Sequence, residues 1–372
     1  MRIGFDAKRA FHNNRGLGNY SRHTIKILSE YYPNNQYYLF NPINKNKLSV
    51  HLAKNITEIN PKHPFMKCTP SLWRSIVMRH KIEEKGLDIF HGLNQELPYG
   101  IQRTKTKSVV TLHDAIFIRY PQLYSTSYRY IFTAKNKHAC KVADKIICIS
   151  EQTKRDAITY FGADENKIEV VYQGCDDIFR HAVSDEQKNL VRKKYNLPAT
   201  FLLNVGAIEE RKNTKLIVEA LHRTKNETPL LIVGNPTDYE KDLRKLIVKH
   251  NMMNQVYILN NVETEDLPAL YAMTKVFVYP SIFEGFGIPI LEALTVGTPV
   301  ITSSGSCFEE TAGPHSLYAD PKDADHLGKA INRVLLDEEL SSKMIAEGKK
   351  HALLFSDESI AANLMSVYDS LM

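Results

Sequence analysis

The sequence predicts an α/β protein built from two successive Rossmann-like domains, each a parallel sheet covered by helices on both faces. Three observations carry that reading. Apolar runs of strand length alternate with longer helix-length stretches through both halves of the chain. The runs are nearly continuous in Val, Ile, Leu and aromatic residues, as strands buried on both faces require. A chain of 372 residues is also long enough for two domains of ordinary size.

In the first half, strands are expected at Ile3–Ala7, Tyr37–Phe40, Ile89–His91, Ser108–Leu112, Lys145–Ile149 and Ile168–Tyr172, with helices near 18–32, 71–85, 125–142 and 151–161. The second half repeats the scheme. Its strands are Phe201–Val205, Leu230–Val233, Val256–Leu259, Val276–Tyr279 and Val300–Thr302, and its helices lie near 213–223, 238–250, 265–273, 289–296, 323–336 and 338–353. The turn-rich Gln173-Gly174-Cys175-Asp176-Asp177 and a polar helix near 184–195 put the boundary between 182 and 183, giving domains of 1–182 and 183–355. Ser356-Asp357 reads as the N-cap of a last helix running to Met372.

Composition narrows the class. Hydrophobic residues make up 43% and charged residues 24%, which excludes a collagen-like, disordered or disulfide-stapled protein. No run of 18 apolar residues exists to span a membrane. The N-terminal Met1-Arg2-Ile3-Gly4-Phe5-Asp6 alternates like a strand, with an Asp where a signal peptide needs an apolar core, so a cytoplasmic location is expected. Cys68, Cys140, Cys148, Cys175 and Cys307 are widely spaced with no C-x-x-C pair, and read as buried reduced thiols.

The net charge of +6 hides an asymmetry. Residues 1–180 carry 28 Lys and Arg against 16 Asp and Glu, a net of +12, whereas the remaining residues carry 20 against 26. A basic half suits an anionic substrate or the anionic face of a membrane. Leu72-Trp73-Arg74-Ser75-Ile76-Val77-Met78-Arg79-His80-Lys81 sets Leu72, Trp73, Ile76 and Val77 on one helical stripe beside basic residues. Packing on the first sheet is the favoured reading of that stripe, and a membrane-surface helix the other.

Four segments can carry chemistry. Tyr279-Pro280-Ser281-Ile282-Phe283-Glu284-Gly285-Phe286-Gly287-Ile288-Pro289-Ile290-Leu291-Glu292 leaves a buried strand and runs into a helix with Pro289 at its first position. Its glycines let the backbone approach a ligand, and the amides from Gly287 onward are the unsatisfied donors of a helix start. Glu284 and Glu292 offer carboxylates to sugar or ribose hydroxyls. Phe201-Leu202-Leu203-Asn204-Val205-Gly206-Ala207-Ile208-Glu209-Glu210-Arg211-Lys212-Asn213 places two cations before a helix, where they oppose the macrodipole unless an anion compensates. Arg15-Gly16-Leu17-Gly18-Asn19-Tyr20 has Ser21 where a dinucleotide fingerprint needs its third Gly, which argues against NAD. Finally, Thr111-Leu112-His113-Asp114 and Phe90-His91-Gly92 put polar side chains at strand ends, where open α/β sheets bind ligands. Ser150-Glu151 reads as a helix N-cap.

The pattern PS-x-x-EGFG-x-P-x-LEA-x-x-x-GTPV, with Glu284 and Glu292 separated by seven residues, resembles the signature of retaining glycosyltransferase family 4. The resemblance implies the GT-B fold: two Rossmann-like domains facing a deep cleft, with the C-terminal helix, 356–372, returning to the first domain. It implies that Glu284 contacts the donor sugar and Glu292 the ribose. The amides of Phe286, Gly287 and Ile288 would meet sugar and diphosphate, and Gly206, Arg211 and Lys212 the diphosphate. Many family members place the Arg directly after the Gly, where this chain has Ala207. The Gly16–Gly18 loop would close over the donor phosphate, the base would lie near Asn260-Asn261-Val262, and His113 would stand near the transferred sugar. His91 and Asp114 are acceptor-side candidates.

The resemblance thus implies a metal-independent, retaining hexosyltransferase whose nucleotide-sugar is a substrate, with no cofactor and no nucleic-acid partner. The acceptor would be a glycan or a polyprenyl-diphosphate-linked saccharide at the inner membrane face. His113-Asp114 followed by Arg119-Tyr120-Pro121 is similar to mannosyltransferases of bacterial O-antigen or capsule synthesis, which favours GDP-mannose as donor. The alternatives are a GT-B nucleotide-sugar epimerase and a non-catalytic nucleotide-sugar-binding protein. Glu284→Ala and Lys212→Ala are expected to lower transfer with little change in stability.

Overall fold

The computed structural model describes residues 1–43 and 53–372. They form two compact units, Met1–Gln173 with Ser356–Met372, and Gly174–Phe355. The division falls ahead of the 182/183 boundary expected from sequence. The short turn of helix Asp177–Arg180 packs within the second unit, with Phe179 edge-on to Tyr271 at 5.8 Å.

Among the described residues the first unit holds seven strands: β1 (Arg2–Asp6), β2 (Gln36–Phe40), β3 (Ile56–Ile59), β4 (Ile89–Gly92), β5 (Lys107–Leu112), β6 (Lys145–Cys148) and β7 (Ile168–Val170). All pairs are parallel, in the order β3-β2-β1-β4-β5-β6-β7. The central strands β4 and β5 are buried almost throughout, which explains their unbroken apolar reading. Edge strand β3 carries Thr57 and Glu58 and is only partly buried, so it gave no apolar run to read.

The second unit holds β8 (Leu202–Val205), β9 (Leu230–Val233), β10 (Val256–Leu259), β11 (Val276–Tyr279), β12 (Val300–Ser303) and β13 (Leu317–Ala319), again all parallel, in the order β10-β9-β8-β11-β12-β13. The three-residue edge strand β13 was too short to be expected. In both sheets the strand order reverses beside the first strand of the unit, between β1 and β4 and between β8 and β11. Crevices at the carboxyl ends of such reversals are where doubly wound sheets hold ligands.

Helices cover both faces as expected, with small corrections. Helix Gly16–Tyr31 takes in the glycines expected in a loop, and helix Ile288–Val296 begins one residue before Pro289. Residues 70–84 are helical with a π-helical turn at Trp73–Val77, which splits the expected stripe. Trp73 is buried against Phe40, whereas Leu72 and Ile76 are exposed. Cys68 is exposed as well, so only four of the five thiols are buried. Helix Asp357–Asp369 belongs to the first unit, where it packs on helix Gly16–Tyr31. No helix among the described residues is long and apolar enough to cross a membrane.

Candidate functional site

The second unit gathers its charges at the β8/β11 reversal. The turn after β8 runs through Gly206, held at a positive φ of 149°, to a short helical turn at Glu210–Lys212. A side chain at Gly206 would meet the Lys212 methylenes, so the lysine lies along the turn. Asn213, left-handed at φ 58°, bridges the carbonyls of Pro280 and Pro321 at 3.1 and 2.8 Å and so ties this turn to the loop after β11. Ile282 N–H closes on the Arg211 carbonyl at 2.8 Å from the other side.

That scaffold converges on one oxygen. Glu284 Oε1 accepts from Lys212 Nζ at 2.6 Å, from Ser281 Oγ at 2.6 Å and from Tyr279 Oη at 3.0 Å, and pairs with Arg211 Nη1 at 2.6 Å. Glu284 is 8% exposed, and its other oxygen receives no bond from the described residues. Burial pushes the carboxyl up, but the adjacent Lys212 and Arg211 charges outweigh it and hold the group at about 2. Arg211 also donates to the Phe283 carbonyl at 2.9 Å and to Glu209 at 2.6 Å. Lys212 is lowered by its own burial, opposed by Glu284. The two cations expected at a diphosphate are therefore already engaged by carboxylates.

The following loop is fixed from behind. Ser306 Oγ and Cys307 Sγ both donate to the Glu284 carbonyl, at 3.0 and 3.3 Å, and Cys307 Sγ and Thr311 Oγ1 reach the Phe286 carbonyl. Gly287, at φ 97°, caps helix Ile288–Val296, a conformation that disfavours any side chain. Glu292, on that helix, accepts from Tyr271 Oη at 2.8 Å. Burial raises its carboxyl to about 7, against the pull of the Tyr271 bond. Val262 lies beyond β10, two strands away from β8 in the sheet. Asn260 and Asn261 beside it are exposed.

The first unit treats its candidates differently. His113 follows β5 and is buried, with its ring edge-on to Tyr20 at 4.6 Å. Its Nε2 donates to the Leu93 carbonyl at 2.8 Å, and burial lowers the ring to about 4. At neutral pH it is a neutral imidazole whose lone pair sits on Nδ1. Asp114 is a turn former: its Oδ1 accepts from Ile116 N–H at 3.0 Å, opening helix Ile116–Arg119. His91 is not available to an acceptor. It is fully buried, with Nδ1 at 2.7 Å from Tyr368 Oη and Nε2 at 2.7 Å from Thr111 Oγ1. Gly18 has a packing cause, since a Cβ there would stand 1.7 Å from the Asn13 carbonyl oxygen; Gly16 faces open space. Ser150 is the N-cap it resembles, accepting from Thr153 N–H at 3.0 Å.

Tyr279, Ser281, Tyr271 and Ser306 were not singled out from sequence, and Cys307 only as a buried thiol. The first two stand inside the motif, where a hydroxyl three before and one five before a Glu was the available signal. The others reach the site only through tertiary contacts.

Two Rossmann-like units, with cations and carboxylates gathered at a strand-order reversal, define an α/β protein equipped for a polar, anionic ligand. Known proteins make the class specific. Residues 185–351 match the family described as glycosyl transferases group 1, and residues 23–178 match glycosyltransferase family 4. The chain is 30% identical over 288 residues to O-antigen chain mannosyltransferase B of Escherichia coli, covering 76% of this chain and 74% of that protein. It is 28% identical to the O-antigen chain mannosyltransferase RfbU of Salmonella typhimurium, over 60% of each. Among solved structures, Anabaena HepE in complex with UDP-glucose superposes with a TM-score of 0.74 over all of both chains at 17% identity, a likeness of fold. This chain belongs to the group 1 and family 4 glycosyltransferases and has their GT-B fold.

Proposed function

We propose that this glycosyltransferase moves a hexose, mannose from GDP-mannose in the first instance, to a hydroxyl of a glycan or polyprenyl-diphosphate-linked saccharide, with retention and without a metal. The observation that carries the reading is the Glu284 carboxylate, kept ionised by Lys212 and Arg211 with one oxygen left for a sugar hydroxyl. The mannosyl donor and the surface-polysaccharide acceptor are supported by the names of the Escherichia coli and Salmonella relatives. A nucleotide-sugar partner is supported by the UDP-glucose held by Anabaena HepE.

In this reading Glu284 holds donor hydroxyls, Glu292 the ribose, and Arg211, Lys212, Gly206 and the amides of Phe286, Gly287 and Ile288 the diphosphate. The fixed cations and amides then supply the countercharge that the leaving phosphate needs. The bond from anomeric carbon to phosphate oxygen breaks, the acceptor oxygen bonds to the same face, and the departing phosphate takes that hydroxyl's proton. The acceptor is assigned to the first unit, with His113 Nδ1 accepting from a hydroxyl. That unit's basic surface and its exposed Phe65, Leu72 and Ile76 support peripheral association with an anionic membrane.

The test incubates the protein with a panel of nucleotide-sugars in EDTA, with and without a lipid-linked saccharide. Acceptor-dependent transfer supports the reading. Epimerised donor without acceptor, binding without turnover, or a strict need for Mg²⁺ or Mn²⁺ would each overturn the part concerned.

A further inference from the structure

At the carboxyl end of β1 four cations meet three carboxylates, and among the described residues two of the cations have no hydrogen-bonded or ion-paired partner of their own. Asp6 is buried, and its Oδ2 accepts from Arg74 Nε at 2.5 Å. Glu96 Oε2 accepts from Arg74 Nη1 at 2.8 Å and from Lys135 Nζ at 2.9 Å. Asp114 serves the turn at Ile116. Lys8 and Arg9, on the short helix Lys8–His12 that follows β1, are both partly buried. Neither side chain has a hydrogen bond or ion pair with a described residue.

Their surroundings make that costly. Lys8 is lowered first by burial and then by the Arg74 charge beside it, and the Asp6 and Glu96 charges, already shared with Arg74 and Lys135, offset this only in part. The Arg9 charge reaches both His113 and Tyr128. Cations held half out of water beside other cations are relieved by an incoming anion. Their position is the β1/β4 reversal, the ligand end of this sheet. A second observation points to the same place. Asn94, in the loop after β4, is 7% exposed; its Nδ2 donates to Ser21 Oγ at 3.0 Å, while its buried Oδ1 has no partner. The neighbouring Leu93 carbonyl is the one that receives His113 Nε2.

We infer that Lys8 and Arg9 form an anion subsite for the acceptor, which carries a phosphate ester near the hydroxyl that is glycosylated, with Asn94 Oδ1 accepting from a hydroxyl of the same molecule. An ammonium and a guanidinium side by side suit the several oxygens of a phosphate. The inference rests on the first unit being the acceptor unit.

The experiment compares one hexose as three acceptors: a neutral octyl hexoside, the free hexose phosphate, and the hexose on a short prenyl diphosphate. In the wild type, at least one phosphorylated acceptor should show a KM about 10-fold or more below the neutral one, roughly 1.4 kcal/mol. The free phosphate alone would identify a soluble sugar phosphate, and the prenyl diphosphate alone a lipid-linked saccharide. The K8Q/R9Q variant should erase that preference while leaving kcat and KM for the octyl hexoside unchanged, and K8R/R9K should keep it. Equal KM for all three acceptors, or equal loss on all three in K8Q/R9Q, would overturn the subsite.

Calorimetry with inorganic diphosphate, after saturation with a nucleoside diphosphate, gives an independent readout. Binding lost in K8Q/R9Q supports the anion subsite, and binding retained overturns it. If no donor gives transfer while that binding is still lost, the acceptor assignment fails and the anion site itself stands.

Discussion

Lys212 Nζ and Glu284 Oε1 stand 2.6 Å apart, with Arg211 Nη1 on the same oxygen at the same distance, and each group keeps the others charged in a site that excludes most water. The arrangement revises the expectation that removing either partner leaves stability untouched. Glu284→Ala leaves buried Lys212 without its carboxylate and Arg211 with Glu209 alone, and Lys212→Ala thins the countercharge. Each should lower transfer by at least about 100-fold, and Glu284→Ala should also destabilise the second unit by about 3 kcal/mol or more. The double variant Glu284→Gln with Lys212→Met should recover much of the stability but none of the activity. Chemical unfolding beside initial rates checks this; near-normal transfer in either single variant would remove the basis for the site.

Glu292 sets a pH dependence of its own. Its folded carboxyl is raised to about 7 from the ordinary 4.5, so its proton stabilises the fold below about 4.5 and that contribution is lost as pH rises through 7. Glu284 runs the other way, contributing above 4.5 and losing its contribution as pH falls toward 2. If ionised Glu292 accepts from the ribose hydroxyls, nucleoside diphosphate affinity should rise between pH 6 and pH 8. Glu292→Gln should flatten the protein's share of that rise, leaving only the titration of the ligand. Calorimetry of both proteins at the two pH values decides it, and parallel profiles would remove Glu292 from the ribose.

Tyr368 and His91 make the corresponding lock in the first unit. Tyr368→Phe removes the partner of His91 Nδ1 in a fully buried place and should cost about 1–3 kcal/mol, with acceptor KM unchanged. Thermal unfolding and acceptor kinetics on one preparation separate the two effects. A rise in acceptor KM without a loss of stability would return His91 to the acceptor-side candidates.

These residues show what was legible in the sequence. Strands buried on both faces wrote themselves as apolar runs, so eleven of the thirteen were found, and β3 and β13 were missed because a polar or three-residue edge leaves no such run. Glu284, Lys212 and Arg211 were legible because the chain spells them in two local segments whose strands lie side by side in the sheet. His91 was misread, because a strand-end histidine looks the same whether it meets a ligand or a tyrosine 277 residues later. At Gly18 the packing cause of the glycine, the Asn13 carbonyl, was not legible in the sequence. The mix of buried Trp73 with exposed Leu72 and Ile76 depends on a π-helical turn that a regular helical period does not contain.

The exposed pair at 72 and 76 can be tested directly. The protein should float with anionic vesicles at low salt, be released as salt rises, and bind neutral vesicles weakly. Leu72→Gln with Ile76→Gln should weaken the binding without altering the unfolding transition, since neither side chain is buried. Equal binding to anionic and neutral vesicles would leave the basic charge of the first half without a membrane role.

The donor is the finest of these expectations. In the proposed reading Glu284 does not choose between mannose and glucose, because its partners are hydroxyls common to both. The proposed reading gives the choice of base to the loop after β10, where Asn260 and Asn261 are exposed and Asn261 is held left-handed at φ 62°. Side-chain amides present a donor and an acceptor together, which matches the edge of guanine and that of uracil alike. The proposed donor, GDP-mannose, carries guanine. GDP should therefore bind more tightly than UDP, and Asn260→Ala with Asn261→Gly should narrow the gap while sparing the diphosphate contacts. Calorimetric titration of both nucleotides against both proteins measures it. UDP binding about ten-fold tighter, roughly 1.4 kcal/mol, would overturn the mannosyl donor and leave the glycosyltransferase assignment as it is.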